Sequence, residues 1–209
     1  MKTATVLNLK GLHIKELFCK NKVLYVFALL FLFGVVFGTV LFVKNQNVRL
    51  YAESLFDFYV SARKGRGFLK IASHSFISSV YLLLFSFFCG ASLLGLVFIP
   101  ISVCFSGAAA GAVISFVYSA YSFKGIAFNA IILIPPLLPI LVCFLFSAKE
   151  SFFFSICISK LTMPKSRPAN LYDGFRLYCG KFIIFLLIVF LSSIINGFIC
   201  DAFLDYFKF

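Results

Sequence analysis

The chain has 209 residues, of which 62 % are apolar and only 12 % charged, about half the charged share of a soluble globular domain. That balance excludes an ordinary water-soluble domain and makes lipid the expected solvent. A net charge of +12 would suit a nucleic-acid binder, but the basic residues flank apolar runs, where anionic headgroups and the positive-inside bias account for them, so no nucleic-acid partner is expected.

Residues 1–22 form a basic tail, with Lys2, Lys10, Lys15, Lys20 and Lys22 against Glu16 alone. A first span follows at 23–43. It is longer than the apolar region of a signal peptide and runs into Lys44 without a small-x-small exit, so it is expected to remain as a signal anchor. Residues 44–74 read as an outer amphipathic segment in which Val48, Tyr51, Leu55, Phe58, Tyr59 and Ala62 recur at helical spacing, a short surface helix ended by Gly65 and Gly67. The apolar face of Tyr51, Leu55 and Phe58 is a candidate contact for a partner outside the membrane.

Between Ile71 and Phe123 there is no Asp, Glu, Lys or Arg, a run long enough for two crossings at roughly 20 residues each. Spans at 75–100 and 101–121 are expected to form a tight hairpin. A fourth span, 125–147, precedes an amphipathic cytoplasmic segment at 148–181, and a last span covers 182–200. The expected fold is therefore all-α, a single-domain polytopic helical bundle of about five transmembrane helices. With the N-terminus in the cytoplasm, eleven Lys and Arg fall inside and eight outside, a weak bias toward that orientation.

Small residues four apart let helix backbones approach closely in lipid, and two such pairs occur: Gly34 with Gly38, and Gly107 with Gly111 in "SGAAAGA". Both suit packing within one bundle; Gly34 and Gly38, on a peripheral span, equally suit a lateral contact with a partner protein. In "IPPLLP", Pro135 and Pro136 remove two consecutive amide donors and Pro139 a third, so the fourth span is expected to be a broken helix: Gly125 to Ile134, a bend, then Leu137 onward. Such a break serves either as a packing kink or as the ion site of a transporter. Asn129, one turn before it, is the candidate polar group, but ionisable partners are sparse, which favours a kink. His74, just ahead of the second span, reads as a headgroup or backbone contact before a ligand or base.

The seven cysteines form no Cys-x-x-Cys pair and lie mostly in apolar runs, as small buried residues do. No metal-ligand spacing, nucleophile elbow or phosphate loop is present, so neither a catalytic residue nor a cofactor is expected.

Taken in order, the basic tail, the anchor "VLYVFALLFLFGVVFGTVLFV", the amphipathic outer segment, "ASHSF" opening the second span, "GASLLGL", "SGAAAGA", "FKG" and the proline-rich span resemble the stage II sporulation protein M family over roughly Leu17 to Phe207. The resemblance implies a five-span, multi-pass protein of the cell membrane in endospore-forming bacteria, placed in the sporulation septum. It would act there with the peptidoglycan-degrading sporulation proteins D and P during engulfment of the forespore. Membrane lipids and those hydrolases are the implied partners, and peptidoglycan remodelling around a non-enzymatic membrane scaffold is the implied role. The alternative is a permease or transporter subunit that uses the proline-rich span.

Overall fold

In a computed structural model, residues 3–63, 67–161 and 171–203 are described, and side chains within 22–63, 67–159 and 172–202. The first helix, α1, runs Thr3–Lys44 without interruption, so the basic tail from Thr3 and the first span share one axis. Asn45, in extended conformation, separates it from α2, Gln46–Ser61, and its side chain accepts the Asn47 N–H at 3.0 Å, a local N-cap. Arg49 returns across the joint: its Nε donates to the Phe42 carbonyl at 3.1 Å, satisfying an acceptor left over at the end of α1.

Helix α3 spans Phe68–Gly90 and α4 spans Gly95–Phe128. The hairpin between them therefore turns at Ala91–Leu94, not at the Pro100–Ile101 junction expected from sequence. Glycines decide the position. Gly90 lets the Tyr178 hydroxyl and Ser151 reach the α3 backbone, and Gly95 folds against the Cys89 carbonyl and the Ser155 hydroxyl, leaving no room for a Cβ at either place. Pro100 lies inside α4, where it removes the hydrogen bond to the residue four before it.

The real reversal in the second half of the chain is at Ser122, whose φ of 46° and ψ of −121° are non-helical. A side chain at Gly125 would collide with the Val117 carbonyl, which a straight helix would leave about 12 Å behind. Beyond the reversal, one turn of π-helix, Asn129–Leu133, leads into α5, Ile134–Leu161. The expected break at the prolines is thus corrected. Ile134 donates to the Asn129 carbonyl five residues back, and its backbone stays helical. Pro135 and Pro136 then occupy the first turn of α5, where a helix has no use for their missing donors. Pro139 lies inside α5, and Ser192 of α6, Leu171–Phe203, donates to the Pro136 carbonyl at 3.1 Å.

Among the described residues four helical segments are long and apolar enough to cross a membrane: Lys22–Lys44, Phe68–Gly90, Gly95–Ser159 and Tyr172–Ala202. The third, of 65 residues, far exceeds the roughly 20 that one crossing needs, and its reversal at Ser122 divides it into two arms. Five passes follow. Phe27 of α1, the α3–α4 turn, the later part of α5 and the early part of α6 lie at one end, and α2, Ser122 and the C-terminal part of α6 at the other. At that second end Phe56 of α2 is buried among Phe116, Tyr121 and Phe128, with ring centroids 5.6 to 5.8 Å away.

At the first end α3, α5 and α6 are joined by hydroxyls. Ser86 lies 3.2 Å from Ser151, Ser151 lies 2.8 Å from Tyr178, and Tyr178 donates to the Phe87 carbonyl at 3.0 Å. Because each hydroxyl has a single proton, the last bond fixes the rest: Ser151 donates to Tyr178 and Ser86 donates to Ser151. The Tyr178 ring is stacked between Phe87 and Phe154, at 5.1 and 4.5 Å.

Candidate functional site

The four glycines singled out in the sequence meet one another's helices. Gly34 and Gly38 lie on the α4 backbone at Cys104 and Ala108, and Gly107 and Gly111 lie on the α1 backbone at Phe31 and Val35. The expectation of a lateral partner at Gly34 and Gly38 is therefore corrected: α4 of the same chain fills that surface. The face of α1 that remains uncovered carries Leu29, Leu32, Phe33, Val36 and Val40.

On α2 the buried stripe is Ala52 and Phe56, one residue round from the face expected to be apolar. Tyr51 and Phe58 are exposed and Leu55 is half-buried. His74 belongs to the second turn of α3, not to a stretch ahead of it, and its ring centroid is 5.5 Å from that of Phe58. Asn129 opens the π-turn and is buried in a different groove, beside Thr39, Ser115 and Tyr118, so the structure does not bring it together with His74. Its Oδ1 has no hydrogen-bond partner among the described residues.

A second buried polar cluster centres on residues that sequence reasoning passed over. Arg63, two residues beyond the end of α2, is 6 % exposed. Its Nη1 donates to the Tyr59 carbonyl at 2.9 Å and its Nη2 to the Ser75 hydroxyl at 3.0 Å, and the guanidinium carbon lies 3.4 Å from the centre of the Tyr59 ring. Asn196 of α6 donates to the same Ser75 oxygen at 2.6 Å and accepts from Cys200 at 3.4 Å. Ser79, one turn below Ser75, donates to the Ser75 carbonyl. Three elements distant in the chain thus converge on one serine hydroxyl.

The electrostatics of this cluster are one-sided. With two donors on its oxygen, Ser75 retains a proton of its own to give. Among the described residues Arg63 Nε has no hydrogen-bond partner, and no carboxylate lies within ion-pair distance of the guanidinium. Burial pushes the Tyr59 phenol above its ordinary value, the nearby Arg63 charge opposing the shift, so Tyr59 supplies no counter-charge. Arg63, Ser75 and Asn196 border a groove of about 360 Å³ that is otherwise lined by residues such as Ala110, Val113, Leu137 and Ile140. Among the described residues no group of three or more His, Cys, Asp or Glu side chains is placed to hold a metal.

The sequence signals for this cluster were present but weak. Arg63 opens the basic run "RKGR", which reads as a solvated loop, and Asn196 is the single amide within α6.

The fold and the cluster together define an α-helical, polytopic membrane protein in which polar residues are concentrated at helix contacts. Residues 27–201 match the family model of Stage II sporulation protein M, which covers most of the chain. The chain belongs to that family and is a sporulation membrane protein. No curated protein and no solved structure matches it.

Proposed function

We propose that this protein is a non-enzymatic scaffold of the sporulation septum that anchors peptidoglycan-degrading enzymes, of the stage II sporulation D and P type, while the forespore is engulfed. The N-terminus then lies in the cytoplasm and α2 on the outer side, where the wall is. What supports the reading is the construction of α2. Ala52 and Phe56 lock the helix across the end of the bundle, while Leu50 and Tyr51 remain 58 % and 54 % exposed. An aromatic side chain held on a rigid, docked helix is the kind of anchor around which protein interfaces concentrate their energy.

The test is crosslinking of the tagged protein in sporulating cells, followed by mass spectrometry of what is recovered, with wild type beside a Leu50→Ser/Tyr51→Ser variant. Peptidoglycan hydrolases should accompany the wild type and be depleted at least several-fold in the variant at equal membrane levels. Recovery of an ATPase or a second permease without any hydrolase would overturn the scaffold reading in favour of transport.

A further inference from the structure

We infer that the groove between α2, α3, α4 and α5 is a binding site for a single phospholipid of net negative charge, its headgroup on Arg63 and a hydrocarbon chain along Val113, Leu137 and Ile140. Three observations carry this. The first is charge. A guanidinium this deeply buried ordinarily has a carboxylate partner, because an unpaired buried ion costs several kcal/mol. Among the described residues Arg63 has a backbone carbonyl, a serine hydroxyl, an aromatic face and the nearby Cys200 thiol, and no carboxylate.

The second is donor surplus. Around one point the cluster offers the Arg63 guanidinium and the remaining proton of Ser75, while its strongest acceptors, the Ser75 oxygen and the Asn196 amide oxygen, are already taken. An arrangement rich in donors with a net positive charge selects an anion, and a planar guanidinium suits the oxygens of a phosphate.

The third is shape and place. The groove's volume, about 360 Å³, falls within the ~300–1,000 Å³ range typical of small-molecule sites. Its polar residues gather at the α2 end, and the remainder is lined by apolar side chains of helices that cross the membrane. Ala109 and Ala110, rather than larger residues, leave the space open beside α4, and exposed Ser78 and Phe58 stand at its border. A free phosphate would leave that apolar wall uncovered. An amphiphile occupies both parts.

The experiment uses the full-length protein purified in a neutral maltoside detergent. Phosphatidylglycerol, phosphatidylcholine and inorganic phosphate are added separately, and bound lipid is read by native mass spectrometry. Wild type should retain phosphatidylglycerol with at least a roughly tenfold preference over phosphatidylcholine, whose quaternary ammonium offsets the attraction of its phosphate to Arg63. Arg63→Gln should abolish the preference, whereas Arg63→Lys should keep part of it. Ala110→Phe, which leaves the cation in place and fills the apolar channel, should lose the bound lipid altogether. This variant decides the matter even if Arg63→Gln fails to fold. Equal retention of the two lipids by wild type, an undiminished preference in folded Arg63→Gln, or retention by Ala110→Phe would each overturn the proposal. Displacement of the lipid by inorganic phosphate at equal concentration would overturn it too, by assigning the cation to a free anion.

Discussion

Gly38 of α1 rests directly on the backbone of Ala108 in α4, so that any side chain at position 38 would occupy the place of the Ala108 carbonyl. The contact recurs one turn along at Gly34, and reciprocally at Gly107 and Gly111. Replacing Gly38 by Leu should push the two helices apart and lower stability by ~1–3 kcal/mol, the usual cost of overpacking, or by more where backbone must move. Gly174→Ala is the control: nothing lies within 4 Å of the position, and the substitution should be neutral or slightly stabilising. Thermal unfolding in detergent distinguishes the two. Equal melting temperatures for Gly38→Leu and wild type would mean that the seam is not as close as described.

Ser122 adopts a backbone conformation that glycine reaches without strain and other residues do not. Ser122→Gly should therefore raise stability by about 1 kcal/mol, and Ser122→Val should lower it by ~1–3 kcal/mol. The same unfolding measurement applies. A destabilised glycine variant would show that the serine side chain contributes more than its backbone conformation costs.

Tyr178→Phe keeps the ring between Phe87 and Phe154 but removes the hydroxyl that ends the Ser86–Ser151 chain. Hydrogen bonds between membrane helices are worth about 0.6 kcal/mol on average and up to ~1.7, so a loss of ~1 kcal/mol is expected. A double-mutant cycle with Ser151→Ala should be non-additive, because both changes break one network. Additive losses would mean that the two hydroxyls act separately.

Asn129→Leu removes a buried amide whose oxygen has no partner among the described residues. Stability should be unchanged or higher, since no hydrogen bond to that oxygen is lost and the cost of burying it disappears. A marked drop in melting temperature would reveal an interaction at the amide and reopen the question of an ion site beside the π-turn.

How much of this was readable beforehand depended on the kind of signal. The apolar runs announced an all-α membrane bundle, because the requirement to satisfy every backbone group in lipid leaves few alternatives. The paired glycines announced close helix contacts, but spacing along one helix carries no information about which surface comes to meet it, and so α4 was missed as the partner of Gly34 and Gly38. The prolines were read as breakers by residue type. Whether a proline disrupts a helix depends on where the helix begins, and the π-turn starts α5 anew one residue before Pro135. The reversal at Ser122 left no trace, since serine is not the residue that such a conformation prefers. Arg63, Ser75 and Asn196 meet from just beyond α2, from α3 and from α6, a convergence that local pattern does not encode.

The seam between α1 and α4 also sets an order of events during synthesis. Helix α1 has its principal docking surface on a helix that the ribosome makes only after α2 and α3. At ~5–20 residues per second, α1 stays in the lipid for a few seconds with Gly34 and Gly38 uncovered. Throughout that interval the nascent chain presents a small-residue groove that α4 later closes, so a helper or a competitor acting at this groove has to arrive before Cys104 and Ala108 do.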